Sequence, residues 1–235
     1  MANKCWAIVP AAGIGQRMGH ATPKQYLNLA GKAVIEWSLE RLLSCTAVEK
    51  IVVAVQSDDD RWSKLSCAHH PSIETVAGGA ERFDSVCQGL TALKNIATPD
   101  DWILVHDAVR PCITAAAVNS LLDSIHGHGV GGLLAFPMRE TLKKVDEHHD
   151  VIGTLNRGEL WAAQTPQVFR HNVLKQALDY CQQHSIFATD ESMAVEALGL
   201  KPKVVLGSVD NIKITWPEDL TLAALLLLVQ GKGES

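Results

Sequence analysis

Arg17, within the small-residue run Pro10-Ala11-Ala12-Gly13-Ile14-Gly15-Gln16-Arg17-Met18-Gly19, and Lys24, just beyond it, follow an apolar stretch from Trp6 to Val9. Small residues let backbone N–H groups approach an anion closely, and successive N–H groups in such a turn create a concavity of positive potential. Two full cations added to those partial charges suit a polyphosphate. The glycines stand at 13, 15 and 19, with Met18 where the third glycine of G-x-G-x-x-G would be, so the dinucleotide fingerprint is missing. No G-K-[ST] triplet occurs, which excludes a P-loop. The plain structural alternative is a tight strand-to-helix turn with solvated cations.

Further polar clusters have the composition of strand ends in an open α/β sheet, where ligands bind. In Gly78-Gly79-Ala80-Glu81-Arg82-Phe83-Asp84-Ser85, glycines end a strand and Ser85 falls near a helix start, offering N–H groups and a hydroxyl to a base edge or phosphate. In Val105-His106-Asp107-Ala108-Val109-Arg110-Pro111, an apolar run leads to a carboxylate suited to Mg²⁺ or another hard divalent cation. The alternative for Asp107 is a surface ion pair with Arg110. In Asp210-Asn211-Ile212-Lys213-Ile214-Thr215, Asp210 offers a second metal ligand and Lys213 another phosphate contact. Arg157 and Gln164-Thr165-Pro166-Gln167 add a cation and a hydroxyl. His106 beside Asp107 is not a dyad by adjacency, and no G-x-S-x-G nucleophile is present.

The elements that must position these groups alternate along the chain. Trp6–Val9, Ile51–Val55, Trp102–His106 and Leu133–Phe136 are apolar or β-branched runs that predict strands buried on both faces, and Val204–Leu206 and Ile212–Ile214 predict the last strands. Helical spacing marks Val34–Leu43, Ser85–Leu93, Asn172–Gln182 and Asp190–Leu198, and Thr114 caps a helix through Ile125. The alternation predicts a mostly parallel sheet flanked by helices, in one domain over residues 1–235. Between about 138 and 160 charged residues replace the amphipathic pattern, which predicts a projecting β-hairpin arm of the kind that embraces a second subunit. Leu220–Val229 reads as a buried C-terminal helix, with Thr215 and Glu218 at capping-box spacing and Pro217 in its first turn.

Composition narrows the classes. A net charge of −5 over 235 residues argues against a general nucleic-acid binder, which needs a broad basic surface. The longest apolar run is about half of a bilayer span, so no membrane segment is expected. Six scattered cysteines without C-x-x-C spacing, and no signal peptide, read as reduced thiols in a cytoplasmic protein. His69-His70 and His148-His149 lack a third ligand nearby and read as solvated loop residues.

Taken in order, PAAGIGQRMG, PKQYL, GGAERFDSV, LVHDAVRP, LWAAQTPQVF, ATDES and NIKITWPEDL resemble the motifs of the 2-C-methyl-D-erythritol 4-phosphate cytidylyltransferases over nearly the full chain. The resemblance implies a Rossmann-like nucleotidyltransferase fold with a projecting β-arm, Mg²⁺ dependence, and a homodimer joined through that arm. It implies that Arg17, Lys24 and Lys213 act in catalysis. Pro10, Ala11, Ala12, Gly13, Gly15, Gly79, Ser85 and Asp107 would hold the CTP nucleotide, with Asp107 and Asp210 at the metal. Arg110, Thr141, Arg157, Thr165 and Lys213 would handle methylerythritol phosphate, Arg157 reaching across from the other subunit.

Ala80, Glu140, Val109 and Gln16 depart from the family's usual residues, and none removes a charge the chemistry needs. The implied reaction is transfer of CMP from CTP to methylerythritol phosphate with release of pyrophosphate, in the non-mevalonate route to isoprenoid precursors. Its rivals are a ribitol 5-phosphate cytidylyltransferase and a catalytically silent nucleotide-binding scaffold.

Overall fold

The first strand, β1 (Cys5–Pro10), sends its side chains alternately to two cores. Cys5, Ala7 and Val9 pack on one face, Trp6 and Ile8 on the other. The computed structural model describes residues 3–13 and 22–233. After the opening loop come a short hairpin, β2 (Asn28–Leu29) and β3 (Lys32–Ala33), then α1 (Val34–Leu43), β4 (Val48–Val55) and β5 (Ile73–Ala77). These are followed by α2 (Arg82–Leu93), β6 (Trp102–Val105), α3 (Ala115–Ile125) and β7 (Gly131–Pro137). A second hairpin, β8 (Lys143–Val145) and β9 (Val151–Thr154), precedes β10 (Trp161–Arg170), α4 (His171–Gln183), α5 (Glu191–Ala197), β11 (Lys203–Leu206) and α6 (Pro217–Gly233).

The main sheet has the order β11-β7-β10-β6-β1-β4-β5. Strand β1 is parallel to both β4 and β6, β4 to β5, and β11 to β7, whereas β10 runs antiparallel to its neighbours β6 and β7. The chain leaves β1 toward β4 and later returns to β6 on the other side. Strand order therefore reverses at the carboxyl ends of β1 and β6, where open sheets of this kind leave a crevice. Helices α1 and α3 cover one face through residues such as Ile35, Leu39 and Leu121, and α2, α4 and α5 cover the other through Val86, Leu174 and Val195. Thr114 Oγ1 accepts from the Ala117 N–H, closing the start of α3 as its sequence predicts.

Strands β8 and β9 form a separate antiparallel ladder over the segment read as an arm. Its turn is organised by the Asp146 carboxylate, which accepts from the N–H groups of His148 and Asp150 at 2.9 and 3.0 Å. Val151 and Ile152 stand exposed on it.

Three sequence expectations are corrected. Ile212–Ile214 forms no strand: Ile214 N–H instead donates to Val109 O, tying the segment to the loop after β6. The start of α6 is closed by Asp219, whose carboxylate accepts from the N–H groups of both Thr215 and Trp216 at 2.8 Å, in place of the Thr215–Glu218 box. That helix is also only half buried. Ala223 and Leu227 pack beneath it, but Leu225, Leu228 and Val229 face outward.

Candidate active site

A cavity of about 550 Å³ opens where the sheet order reverses. Pro10, Ala11, Ala12 and Gly13 form one wall at the end of β1, with Lys24 beside them. Gly79 and Ser85 come from the turn between β5 and α2, Asp107 from the end of β6, and Lys213 from the segment after β11. Four segments far apart in sequence thus converge, and each carries residues whose types suit a polyphosphate.

The loops are held by specific contacts. Gln25, itself buried, donates from Nε2 to Ala11 O at 2.7 Å and Gly13 O at 2.9 Å, fastening the opening loop to the Pro23–Tyr26 turn. Lys24 Nζ donates to Ile214 O at 3.0 Å, bringing the first and last chemical segments together. A Cβ at Gly78 would lie 2.6 Å from the Ala12 Cβ, and one at Gly79 would overlap Asp84, so only glycines admit this approach. Ser85 Oγ accepts from Gly79 N–H and donates to Glu81 O, both at 3.2 Å, which rigidifies the turn.

Asp107 is the electrostatic centre. Its Oδ1 accepts from Arg82 Nε at 2.9 Å, its Oδ2 lies 2.8 Å from Lys213 Nζ, and Arg110 Nε is 3.7 Å away. Burial would raise the carboxyl, but Arg82, Lys213 and Arg110 outweigh it and hold the group far below the usual carboxylate range. Asp107 and Arg110 are both largely buried, so their contact is not the solvated surface pair that sequence left open.

Beneath Asp107 lies a neutral relay. Fully buried His106 is pushed down to about 4 by desolvation, which the neighbouring Asp107 only partly offsets. Its Nε2 faces Arg110 O at 3.2 Å, and a carbonyl can only accept, so Nε2 carries the proton. Nδ1 is then the acceptor for the Thr165 hydroxyl at 3.1 Å, while Thr165 Oγ1 accepts from the Asp107 N–H at 3.0 Å. Thr165 is thereby committed to supporting the Asp107 backbone.

The other expected residues are placed as follows. Arg17 and Gly15 lie outside the described residues. Arg110 stands behind Asp107, its Nη1 donating to Asn211 O at 2.6 Å, and Thr165 is buried below; neither lines the cavity. Thr141, in the connection before β8, and Arg157, in the turn after β9, are exposed and also outside the cavity wall of their own chain. Asp210 is exposed on the turn after β11 and is not part of the cavity wall that carries Asp107.

Sequence reasoning missed Arg82 and Glu191. Arg82 sits in the same segment as Gly79 and Ser85, and a cation at a helix start beside a glycine turn was the available signal. Glu191 stood within the ATDES motif, but its residue type and spacing did not point to a partner on another helix.

A family model for 2-C-methyl-D-erythritol 4-phosphate cytidylyltransferase matches residues 5–228. The chain belongs to this family. A relative from Vibrio parahaemolyticus bearing that name is 46% identical over 221 residues, covering 94% of each chain. One from Pseudomonas putida is 46% identical over 216 residues, covering 92% of each. The crystal structure of the Francisella tularensis 2-C-methyl-D-erythritol 4-phosphate cytidylyltransferase superimposes with a TM-score of 0.84 at 36% identity, over 95% of this chain and all of that one. Family membership makes the protein a nucleotidyltransferase, and the cavity at the strand reversal is the place its geometry offers for the chemistry.

Proposed function

We propose that the protein transfers the cytidylyl group of CTP to 2-C-methyl-D-erythritol 4-phosphate in isoprenoid precursor biosynthesis. A phosphate oxygen of the acceptor attacks the α-phosphorus of CTP, forming a P–O–P bond, as the bond to the β-phosphate breaks and pyrophosphate leaves. The observation that carries this reading is Asp107 with Arg82, Arg110 and Lys213 around it, in a cavity that also contains Lys24 and the Pro10–Gly13 loop.

The attacking group is already an anion, so no strong base is required. The difficulty is to bring two anions together and to stabilise negative charge in the transition state, and preorganised cations and N–H groups address both. Lys24 and Arg17 serve the triphosphate and the charge that builds on its oxygens. Pro10, Ala11, Ala12, Gly13, Gly79 and Ser85 shape the nucleotide pocket, and the motif assigns Gly15 to the nucleotide as well. Lys213, paired with Asp107, serves the acceptor phosphate, with Arg110 and Thr165 supporting from behind.

Mg²⁺ fits Asp107 on the chemistry of the donors. One ionised carboxylate at the wall matches a hard cation completed by substrate phosphates and water, and no group of three or more His, Cys, Asp or Glu gathers among the described residues to form an all-protein cage. When bound, the ion supplies charge neutralisation at the phosphates.

The proposal includes a homodimer through the β8–β9 arm. Exposed Val151 and Ile152 on the hairpin, and the position of Thr141 and Arg157 outside their own cavity wall, support sugar-phosphate contacts made in trans. Six free cysteines support a reducing compartment, the cytoplasm. Isotope placement tests the reaction: label in the α-phosphate of CTP should appear in the nucleotide–sugar product and label in the γ-phosphate in pyrophosphate. Release of α-label as free CMP without acceptor would indicate a hydrolase instead.

A further inference from the structure

Glu191 takes no part in the chemistry above, yet it is a carboxylate with 2% of its surface exposed. It is the first residue of α5, and its Oε1 and Oε2 accept from Arg82 Nη1 at 2.6 Å and Nη2 at 3.0 Å. The same guanidinium donates from Nε to Asp107 Oδ1 at 2.9 Å. One planar cation therefore bridges two carboxylates carried by different elements. The guanidinium is planar and rigid, so seating both terminal nitrogens on Glu191 fixes the direction in which Nε meets Asp107.

We infer that Glu191 is a positioning residue for nucleotidyl transfer, acting through Arg82 on Asp107. It holds the two terminal nitrogens of Arg82 and so aims Nε at Asp107 Oδ1, which fixes the orientation of that carboxylate. Asp107, with Lys213 on its other oxygen, is thereby set at the orientation in which it meets the metal–triphosphate unit. The inference rests on the proposed role of Asp107 in meeting that unit.

A simple staple between α5 and α2 is the competing explanation, and the structure argues against it. Helix α5 is already anchored: Gln167 Nε2 donates to Asp190 Oδ2 at 2.9 Å, Ser192 N–H donates to Gln167 Oε1 at 2.8 Å, and Ala194 and Val195 are fully buried. Burying an ion pair is a poor way to add stability when apolar packing is available. Arg82, moreover, lines the nucleotide cavity.

The test is binding of the Mn²⁺–CTP complex to the full-length protein, followed by the enhancement of water-proton relaxation that protein-bound Mn²⁺ produces, beside melting temperatures. Glu191→Gln keeps the shape and removes the charge that holds the fork. Disturbing a group that orients a metal ligand commonly costs about 10–100-fold in affinity, and that weakening is expected here, with kcat/KM for CTP falling in parallel. In an Arg82→Lys background, Glu191→Gln should add less than about a further twofold, as expected of two residues acting through one path. A lowered melting temperature with unchanged Mn²⁺ affinity would reduce Glu191 to a staple and overturn the inference. So would a full second loss in the Arg82→Lys background. If Glu191→Gln does not fold, Glu191→Asp, which keeps the charge but shortens the reach to Arg82, carries the test: the same 10–100-fold weakening supports the inference, and wild-type affinity refutes it. A wild-type protein that binds no Mn²⁺ with CTP would remove the proposed role of Asp107, and this inference with it.

Discussion

Lys213 Nζ lies 2.8 Å from Asp107 Oδ2, joining the segment after β11 to the end of β6. The pair sits on the cavity wall with Arg82 on the other carboxylate oxygen and Arg110 behind. Asp107 and Glu191 against Arg82, Arg110 and Lys213 leave the cluster with one positive charge in excess, before Lys24 is counted. Such a site favours a triphosphate and a phosphomonoester together, which would otherwise repel each other.

Lys24 belongs to the same field, its Nζ fixed against Ile214 O. Removing one preorganised donor to developing charge costs about 3–4 kcal/mol. Lys24→Ala should therefore lose about 10²–10³-fold in kcat, with a smaller change in KM for CTP. Lys24→Arg should recover only part of this, because a planar fork cannot replace a point charge at a close contact. Steady-state kinetics of the two variants check both statements.

Arg157 makes the contrasting case. Arg157→Ala should raise KM for methylerythritol phosphate while changing kcat less than Lys24→Ala does. Mixing Lys24→Ala and Arg157→Ala chains under exchange conditions, assayed at methylerythritol phosphate well below the KM of Arg157→Ala, should raise the activity above that of either variant through heterodimers with one intact site. No recovery would mean that each site is built from one chain.

Asp101 predicts a pH dependence of stability. This buried carboxylate accepts from Thr98 N–H, Lys4 N–H and Trp6 Nε1, stitching the starts of β1 and β6 to the preceding loop. Burial would raise its pKa, but these donors outweigh that effect and hold it below the ordinary carboxylate value. A depressed carboxyl contributes stability above its unfolded pKa, near 3.9, and loses that contribution as pH falls through the lower folded value. Asp101→Asn should lower stability by about 2–3 kcal/mol at neutral pH. The gap between its melting temperature and that of the wild type should start to close only below about pH 4 and vanish once pH has passed the lower folded value, which thermal melts across pH will show.

The thiols should be inert in the folded state. Cys5, Cys67 and Cys112 are buried and pushed up to about 12, and the partly buried Cys87 to about 11, in each case chiefly by desolvation. Alkylation at pH 7.5 should be slow in native protein and rapid for all six cysteines in denaturant, as mass spectrometry can record.

Much of this architecture was legible because local signals agreed with the fold. Runs such as Ile51–Val55 are apolar throughout, as strands covered on both faces must be, and Thr114 announced its helix. Strand β10 was hidden because Pro166 lies within it, where a missing N–H ordinarily argues against a strand, and its pairing with β7 is indeed irregular between Ala163 and Gln167. The alternation in Ile212–Ile214 looked like a strand, but its hydrogen bonds go to the Val109 loop and to Lys24 instead of a ladder. In the site, Lys24, Gly79, Asp107 and Lys213 could be named from residue type and motif. The Arg82–Glu191 bridge and the His106–Thr165 relay could not, since each exists only once distant segments have packed.

The most direct measurement is Mg²⁺-dependent pyrophosphate release from CTP, with 2-C-methyl-D-erythritol 4-phosphate and ribitol 5-phosphate offered in parallel as acceptors. The predicted result is release with the methylerythritol substrate alone, abolished by chelation of the metal. Release with ribitol 5-phosphate alone would contradict the assigned acceptor, and no release with either from folded, CTP-binding protein would contradict catalysis itself.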